Sequence, residues 1–327
     1  MAGATTAEMV IAVSAAGGLG SLPSAQYSAA QLRQALDAVR AGTSRPINVN
    51  FFCHTDPPED VALQTAWRRR LASYYAEARL DPEMPIAKGG RAPFDDAFCA
   101  IVEEYRPEVV SFHFGLPRAS LFERVKRTGA KVISSATTVA EARWLDARGV
   151  DAVIAMGMEA GGHRGNFLTD DMGTQVGTIA LVPRIVDAVS VPVVAAGGIV
   201  DRRGVEAAFA LGAAAVQVGT AYLFTPEARI HAVYRDALRS ADRTTAITNV
   251  FTGRPARGIV TRLMADLGAL SDLPPPFPTA AAALSPLRAA AEAEGRDDFS
   301  PLWAGQSFVL AKPMSAAELT RSLAGVA

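Results

Sequence analysis

Short runs of β-branched residues alternate with amphipathic helical stretches, and this rhythm restricts the possible folds more than any other feature of the chain. Candidate strands fall at Ile47–Phe52, 109–114, 131–135, Ala152–Met156, Val193–Ala196 and 215–219. Between them, residues 116–128, 139–149, 176–189 and 203–211 carry apolar side chains at helical spacing. A strand followed by a helix, repeated, gives a parallel sheet covered by helices on its faces. Four of the strands lie between Lys131 and Gly219, a regular spacing that predicts a TIM-type (β/α)8 barrel. Helix ends support the same frame. Gly129, Gly149 and Gly212 each follow a helical stretch where a left-handed C-cap needs glycine, and Asp201 stands at an N-cap position.

The strand count does not close at eight. Six strands are clear, and residues 18–22 supply a short seventh. A first strand ought to precede the helical stretch at 6–15, yet only Met1–Thr5 lie ahead of it. The expectation is a barrel whose first strand is missing or truncated. Residues 1–240 form the barrel in this reading. Residues 241–327 form an extension in the same domain, with a helical segment over the barrel mouth. Residues 81–93 and 274–278 read as Pro/Gly-rich loops, and the alanine-rich stretch 280–293 as a helix.

Composition excludes several classes of function. The chain has 327 residues, half of them hydrophobic and only 7% aromatic, which suits strands buried on both faces. With 32 basic and 33 acidic residues there is no basic stripe and no call for a nucleic-acid partner. The Arg68-Arg69-Arg70 cluster reads as a solvated helix face. Two distant cysteines, Cys53 and Cys99, suit a reducing cytosol, with Cys53 a plain buried thiol. The N-terminus lacks a basic segment before an apolar run, and the apolar stretch 9–20 is too short to span a bilayer. A cytoplasmic chain, a monomer or homodimer with no membrane partner, is expected. His54 and His231 show no useful spacing, and no CxxC, HxxxH or HExxH pattern exists, so no metal is expected.

Three glycine motifs carry the chemistry. Ala195-Ala196-Gly197-Gly198-Ile199 and Gln217-Val218-Gly219-Thr220 end two successive strands. In a barrel these late strand ends commonly hold a phosphate, because glycine lets backbone N–H groups approach it closely. Tight turns with no ligand are the alternative, and the repetition on neighbouring strands favours phosphate. Glu159-Ala160-Gly161-Gly162-His163-Arg164-Gly165 follows another strand, inside a long polar connection from Gly157 to Gly173. Its histidine sits on the face where barrel chemistry occurs, and histidine, which ordinarily titrates near neutrality, can take a proton from a carbon acid. His113, in Ser111-Phe112-His113-Phe114-Gly115, stands near a further strand end; it either hydrogen-bonds substrate or a cofactor or is a satisfied core histidine.

These motifs, with Met1-Ala2-Gly3-Ala4-Thr5-Thr6, Ala15-Ala16-Gly17-Gly18-Leu19-Gly20 and Trp303-Ala304-Gly305-Gln306, resemble the nitronate monooxygenase family, formerly called 2-nitropropane dioxygenases, and its class I branch. The resemblance covers nearly the whole chain. It implies an FMN barrel oxidising alkyl nitronates, propionate 3-nitronate among them, with dioxygen to a carbonyl product and nitrite. Carried over, His163 is the catalytic base and His113 a substrate-binding residue. Asn50, Ser135, Met156, Gly161 and Gly162 flank the flavin, and Gly197, Gly198, Gln217, Gly219 and Thr220 hold its phosphate. Met156 departs from the family, which often has a glutamine there; a thioether accepts hydrogen bonds only weakly. A flavin-dependent enoyl-ACP reductase and a flavin-free phosphate-sugar barrel are the rival readings.

Overall fold

A computed structural model describes residues 1–85 and 90–326. Ten strands are present: β1 (Gly20–Pro23), β2 (Ile47–Phe52), β3 (Val109–His113), β4 (Lys131–Ala136), β5 (Ala152–Met156), β6 (Gly162–His163), β7 (Val193–Ala196), β8 (Ala215–Gln217), β9 (Thr245–Thr248) and β10 (Ala256–Ile259). Seven of them form one parallel sheet in the order β1-β2-β3-β4-β5-β7-β8, curled as in a barrel and flanked by helices. Each expected strand is present within two residues at its ends, and the short candidate at 18–22 becomes β1. Among the described residues no strand precedes the helix Ala7–Ala15, and β1 and β8 are sheet edges not bonded to one another. Residues 1–6 run beside the segment after β8, where Arg229 N–H donates to Ala4 O (2.8 Å) and the Thr6 hydroxyl to Glu227 O (3.0 Å).

The central strands are buried on both faces because helices cover one side and the barrel interior the other. Val49, Phe51, Val110, Phe112, Val132, Val153 and Ala195 are all essentially inaccessible. Phe51 packs edge-on against Phe94 at 4.7 Å, and Phe94 against Phe112 at 5.2 Å. The expected caps are in place. Gly129, Gly149 and Gly212 have φ of 89°, 77° and 92°, and the Asp201 carboxylate accepts from Arg203 N–H.

Two features depart from the sequence reading. The connection from Gly157 to Gly173 is not all loop: it contains β6, which pairs antiparallel with β10 and, through it, with β9. The C-terminal part thus contributes a second small sheet as well as helices. The helix Val61–Glu77, inserted between β2 and β3, builds a separate apolar cluster with the helix Ala281–Ala293. Trp67, Leu71, Tyr75, Leu284 and Leu287 lie at its centre. Trp67 Nε1 donates to Ala280 O (3.1 Å) and the Tyr75 hydroxyl to Ala283 O (2.6 Å), so two buried polar atoms tie these helices together. On the same helix Arg69 and Arg70 are exposed as expected, but Arg68 is half-buried and donates to Met84 O (2.8 Å). Of the loop expected at 81–93, residues 86–89 lie outside the described residues.

Candidate active site

β5 delivers the chain to the C-terminal rim of the sheet, and buried charges fix the loop that follows. The Glu159 carboxylate accepts from Thr178 N–H (2.9 Å) and the Thr178 hydroxyl (2.7 Å), placing an anion at the N-terminus of the helix Thr178–Val186. Arg164 is fully buried, yet its guanidinium is well satisfied by Met156 O (2.9 Å), Gly157 O (2.8 Å) and Gln175 Oε1 (2.6 Å). Burial pushes its pKa down to about 10. Glu141, equally buried, accepts from the N–H groups of Phe167 (2.6 Å) and Thr137 (2.7 Å). These contacts and the pairing of β6 with β10 set the position of His163 opposite Ala256.

The His163 imidazole is 9% exposed and lies among aromatic rings, with Phe277 at 5.2 Å, Trp303 at 5.3 Å, Phe114 at 6.2 Å and Phe52 at 6.3 Å. Its Nε2 is 2.9 Å from the Thr252 hydroxyl. Burial, reinforced by Arg91, His113, Arg254 and His54, holds its pKa well below the ordinary 6.5. The imidazole is therefore neutral at pH 7 and able to take a proton. Phe114 beside it has φ of 69°, a costly conformation for a bulky residue. Contacts with Phe52 (4.8 Å) and with the Arg254 guanidinium, 4.1 Å above its ring, hold it there.

His113 is close but engaged. Its Nε2 donates to His163 O (3.1 Å), and its Nδ1 accepts from the Ser135 hydroxyl (2.9 Å). Burial brings its pKa down to about 3. Both nitrogens are bonded to protein, so His113 is tied to the backbone of His163 and Ser135 to His113. His54, set aside for lack of spacing, packs on Phe277 at 4.8 Å. No periodicity pointed to it.

The glycine turns lie on the same rim. Gly197 and Gly198 have φ of 120° and 73°, and the N–H groups of Gly198 and Gly219 have no backbone acceptor among the described residues. A side chain at Gly162 would meet nothing within 4 Å, and one at Gly219 only Met1 at 3.8 Å. Free N–H groups bordering open space form a cradle suited to a phosphate and a flat ring. The loop 303–307 joins the parts. Gly305 N–H donates to the Thr220 hydroxyl (3.0 Å), Gln306 N–H donates to Glu159 O (3.0 Å), and a Cβ on Gly161 would lie 2.5 Å from Gly305 N. Met156 is buried at the end of β5. Asn50 donates to the Ser111 hydroxyl (2.9 Å) and Gln217 is exposed; no hydrogen bond links either to His163 or the turns among the described residues. Among the described residues no group of three or more His, Cys, Asp or Glu is placed to hold a metal, and no helix is long and apolar enough to cross a membrane.

Comparison with known proteins agrees with this architecture. A family profile described as nitronate monooxygenase matches residues 1–325. The chain is 41% identical to the nitronate monooxygenase of Pseudomonas aeruginosa, covering 99% of this chain and 93% of that one. It is 40% identical to that of Paraburkholderia phytofirmans, covering 99% and 89%. Among solved structures it is similar to the nitroalkane oxidase of Streptomyces ansochromogenes, with a TM-score of 0.89 and 37% identity over 99% of this chain and 93% of that one. It is also similar to FabK from Thermotoga maritima, with a TM-score of 0.73 and 30% identity over 99% and 89%. The chain belongs to the nitronate monooxygenase family and is a flavin-dependent oxidoreductase on a TIM-type barrel.

Proposed function

We propose that this chain binds FMN and oxidises alkyl nitronates with dioxygen to a carbonyl product and nitrite, with His163 as the base for neutral nitroalkanes. The observation that carries the reading is a buried imidazole on the rim that bears both glycine turns. Gly197, Gly198, Gly219 and Thr220 would hold the phosphoryl tail, with Gln217 at its edge. Gly161, Gly162, Met156, Ser135 and Asn50 would line the ring. Bound there, the flavin supplies the electron acceptor that amino-acid side chains lack.

The remaining work falls to side chains. Phe52, Phe114 and Phe277 give the alkyl group an apolar wall and keep water from the reacting carbon. His163 removes the α-proton of a neutral nitroalkane, and the C–H electron pair passes onto the nitro oxygens. Arg91 and Arg254, stacked on Phe277 (5.7 Å) and Phe114 (4.1 Å), supply positive charge to an anionic substrate. Arg91 borders a cavity of about 400 Å³ lined also by Tyr27, Asp56 and Pro278, and no carboxylate lies within 4.0 Å of it among the described residues. This arrangement favours propionate 3-nitronate, whose carboxylate would face Arg91. The test is oxygen uptake by His163→Asn on nitroethane and on its preformed nitronate. Turnover of the neutral substrate should fall by about a hundredfold or more relative to the nitronate. An equal loss on both would remove the base assignment. Mass spectrometry of the cofactor released by heating separates FMN from other flavins.

A further inference from the structure

We propose that Thr252 fixes the tautomer of His163: its hydroxyl accepts the Nε2 proton, leaving Nδ1 as the atom that takes a proton from substrate. The inference rests on His163 being the base, and adds which nitrogen acts and which residue decides it.

The hydrogen-bond chain sets the direction. Thr252 Oγ1 lies 2.9 Å from His163 Nε2 and 3.3 Å from Arg254 O. A carbonyl oxygen carries no proton, so that second bond needs the hydroxyl as donor. The hydroxyl has one proton; once it points to Arg254 O, only a protonated Nε2 completes the first bond. The opposite arrangement satisfies one bond instead of two. Thr252 is 1% exposed, so the unmade bond has little access to water. The other ring nitrogen is open: Nδ1 has no hydrogen-bond partner among the described residues, nor is it among the buried atoms sealed without one.

The hydroxyl is placed by the turn between β9 and β10. The N–H groups of Thr252 and Gly253 both donate to Asn249 O, at 3.3 and 2.8 Å. Gly253 has φ of 83°, and a Cβ there would lie 2.0 Å from Pro275 O. Glycine alone fits, so the turn cannot shift without displacing the segment that carries Phe277. His163 is thereby held at two points, its carbonyl by His113 and its ring by Thr252. On proton transfer the substrate C–H bond breaks, its electron pair becomes the nitronate, and Nδ1 gains the proton. The resulting imidazolium keeps its Nε2–H bond to Thr252. Thr252 is thus a positioning residue, comparable in role to the group that orients the histidine in other base pairs.

The test is nitrogen-15 NMR of the holoenzyme labelled in histidine, with the His163 signals assigned by their loss in His163→Asn. The expected pattern is a protonated Nε2 and an unprotonated Nδ1. Thr252→Val keeps the shape and removes the hydroxyl. It should mix the tautomers and lower the ratio of nitroethane to nitronate turnover roughly tenfold, the worth of one buried hydrogen bond. Thr252→Ser should restore both. A protonated Nδ1 in the unsubstituted enzyme overturns the proposal, and so does a Thr252→Val enzyme with tautomer and ratio unchanged. The NMR pattern is readable without turnover, so failure of the base assignment under His163→Asn is distinguishable from failure of the tautomer assignment.

Discussion

Acidification should destabilise this fold through its two deeply buried histidines, in a pH window set by their unfolded values. His113 and His163 have pKa values pushed below the ordinary 6.5, that of His113 to about 3, chiefly by burial. A depressed histidine pKa means the unfolded chain binds the proton more readily than the folded one. Stability is therefore full above 6.5 and falls as the pH drops through it, continuing toward the folded value near 3 for His113. Between about pH 7.5 and pH 5.5, His113 removes about 1.4 kcal/mol, and His163 acts in the same direction. Carboxylates also titrate on the way down, so the slope of one protein is not decisive. The assay is urea unfolding of the holoenzyme at both pH values, beside His113→Gln. The glutamine retains a donor for His163 O but has no proton to gain. The unsubstituted protein should lose about 1.4 kcal/mol more than the variant over that interval. Equal losses would refute the claim that His113 is buried in its neutral form.

Replacing Glu141 by Gln sets an NH2 group against donors that now find a carboxylate oxygen, at Thr137 N, Thr137 Oγ1 or Phe167 N. A cost of about 2–4 kcal/mol is expected, seen as a lower thermal midpoint together with faster proteolysis in the 157–173 segment. Gly219→Val fills space that only Met1 borders, and should weaken flavin retention at least tenfold, about 1.4 kcal/mol, read as visible absorbance surviving gel filtration. Arg91→Met should raise KM for propionate 3-nitronate roughly tenfold or more while leaving that for ethyl nitronate little changed, by oxygen-electrode kinetics. A parallel rise for both would place Arg91 outside the carboxylate's reach.

The barrel was legible because its code is local. Parallel strands covered on both faces are continuous apolar runs, and left-handed C-caps demand glycine at 129, 149 and 212; both signals sit within a few residues. β6 was missed because two residues cannot show a period, and because its partner β10 is nearly a hundred positions away. Of the helix Val61–Glu77 only the exposed face at Arg69 and Arg70 was legible, for another reason. Its buried face carries Trp67, Tyr74 and Tyr75, with polar residues interleaved, so its apolar stripe is weak along the sequence. The walls of the pocket were hidden likewise. Thr252 and His163 are 89 residues apart, and Phe277 and Arg91 reach the site from unrelated loops.

His113 shows where reading stops even when the residue is found. A strand-end histidine beside glycine was correctly located on the rim, with substrate contact and core satisfaction both open. The choice depends on what each ring nitrogen meets. Nε2 meets a backbone carbonyl on β6, an element absent from the sequence reading, and Nδ1 meets Ser135 on β4. The resemblance places Ser135 beside the flavin ring, and its hydroxyl also bonds His113. The two residues thus form one bonded unit beneath His163, and their substitution should act together: Ser135→Ala and His113→Leu each disturb the same carbonyl, the first by freeing the ring that holds it and the second by removing its donor. Their effects on turnover should fall short of additive by more than the 0.5 kcal/mol expected of independent sites, and strict additivity would mean that the unit does not exist.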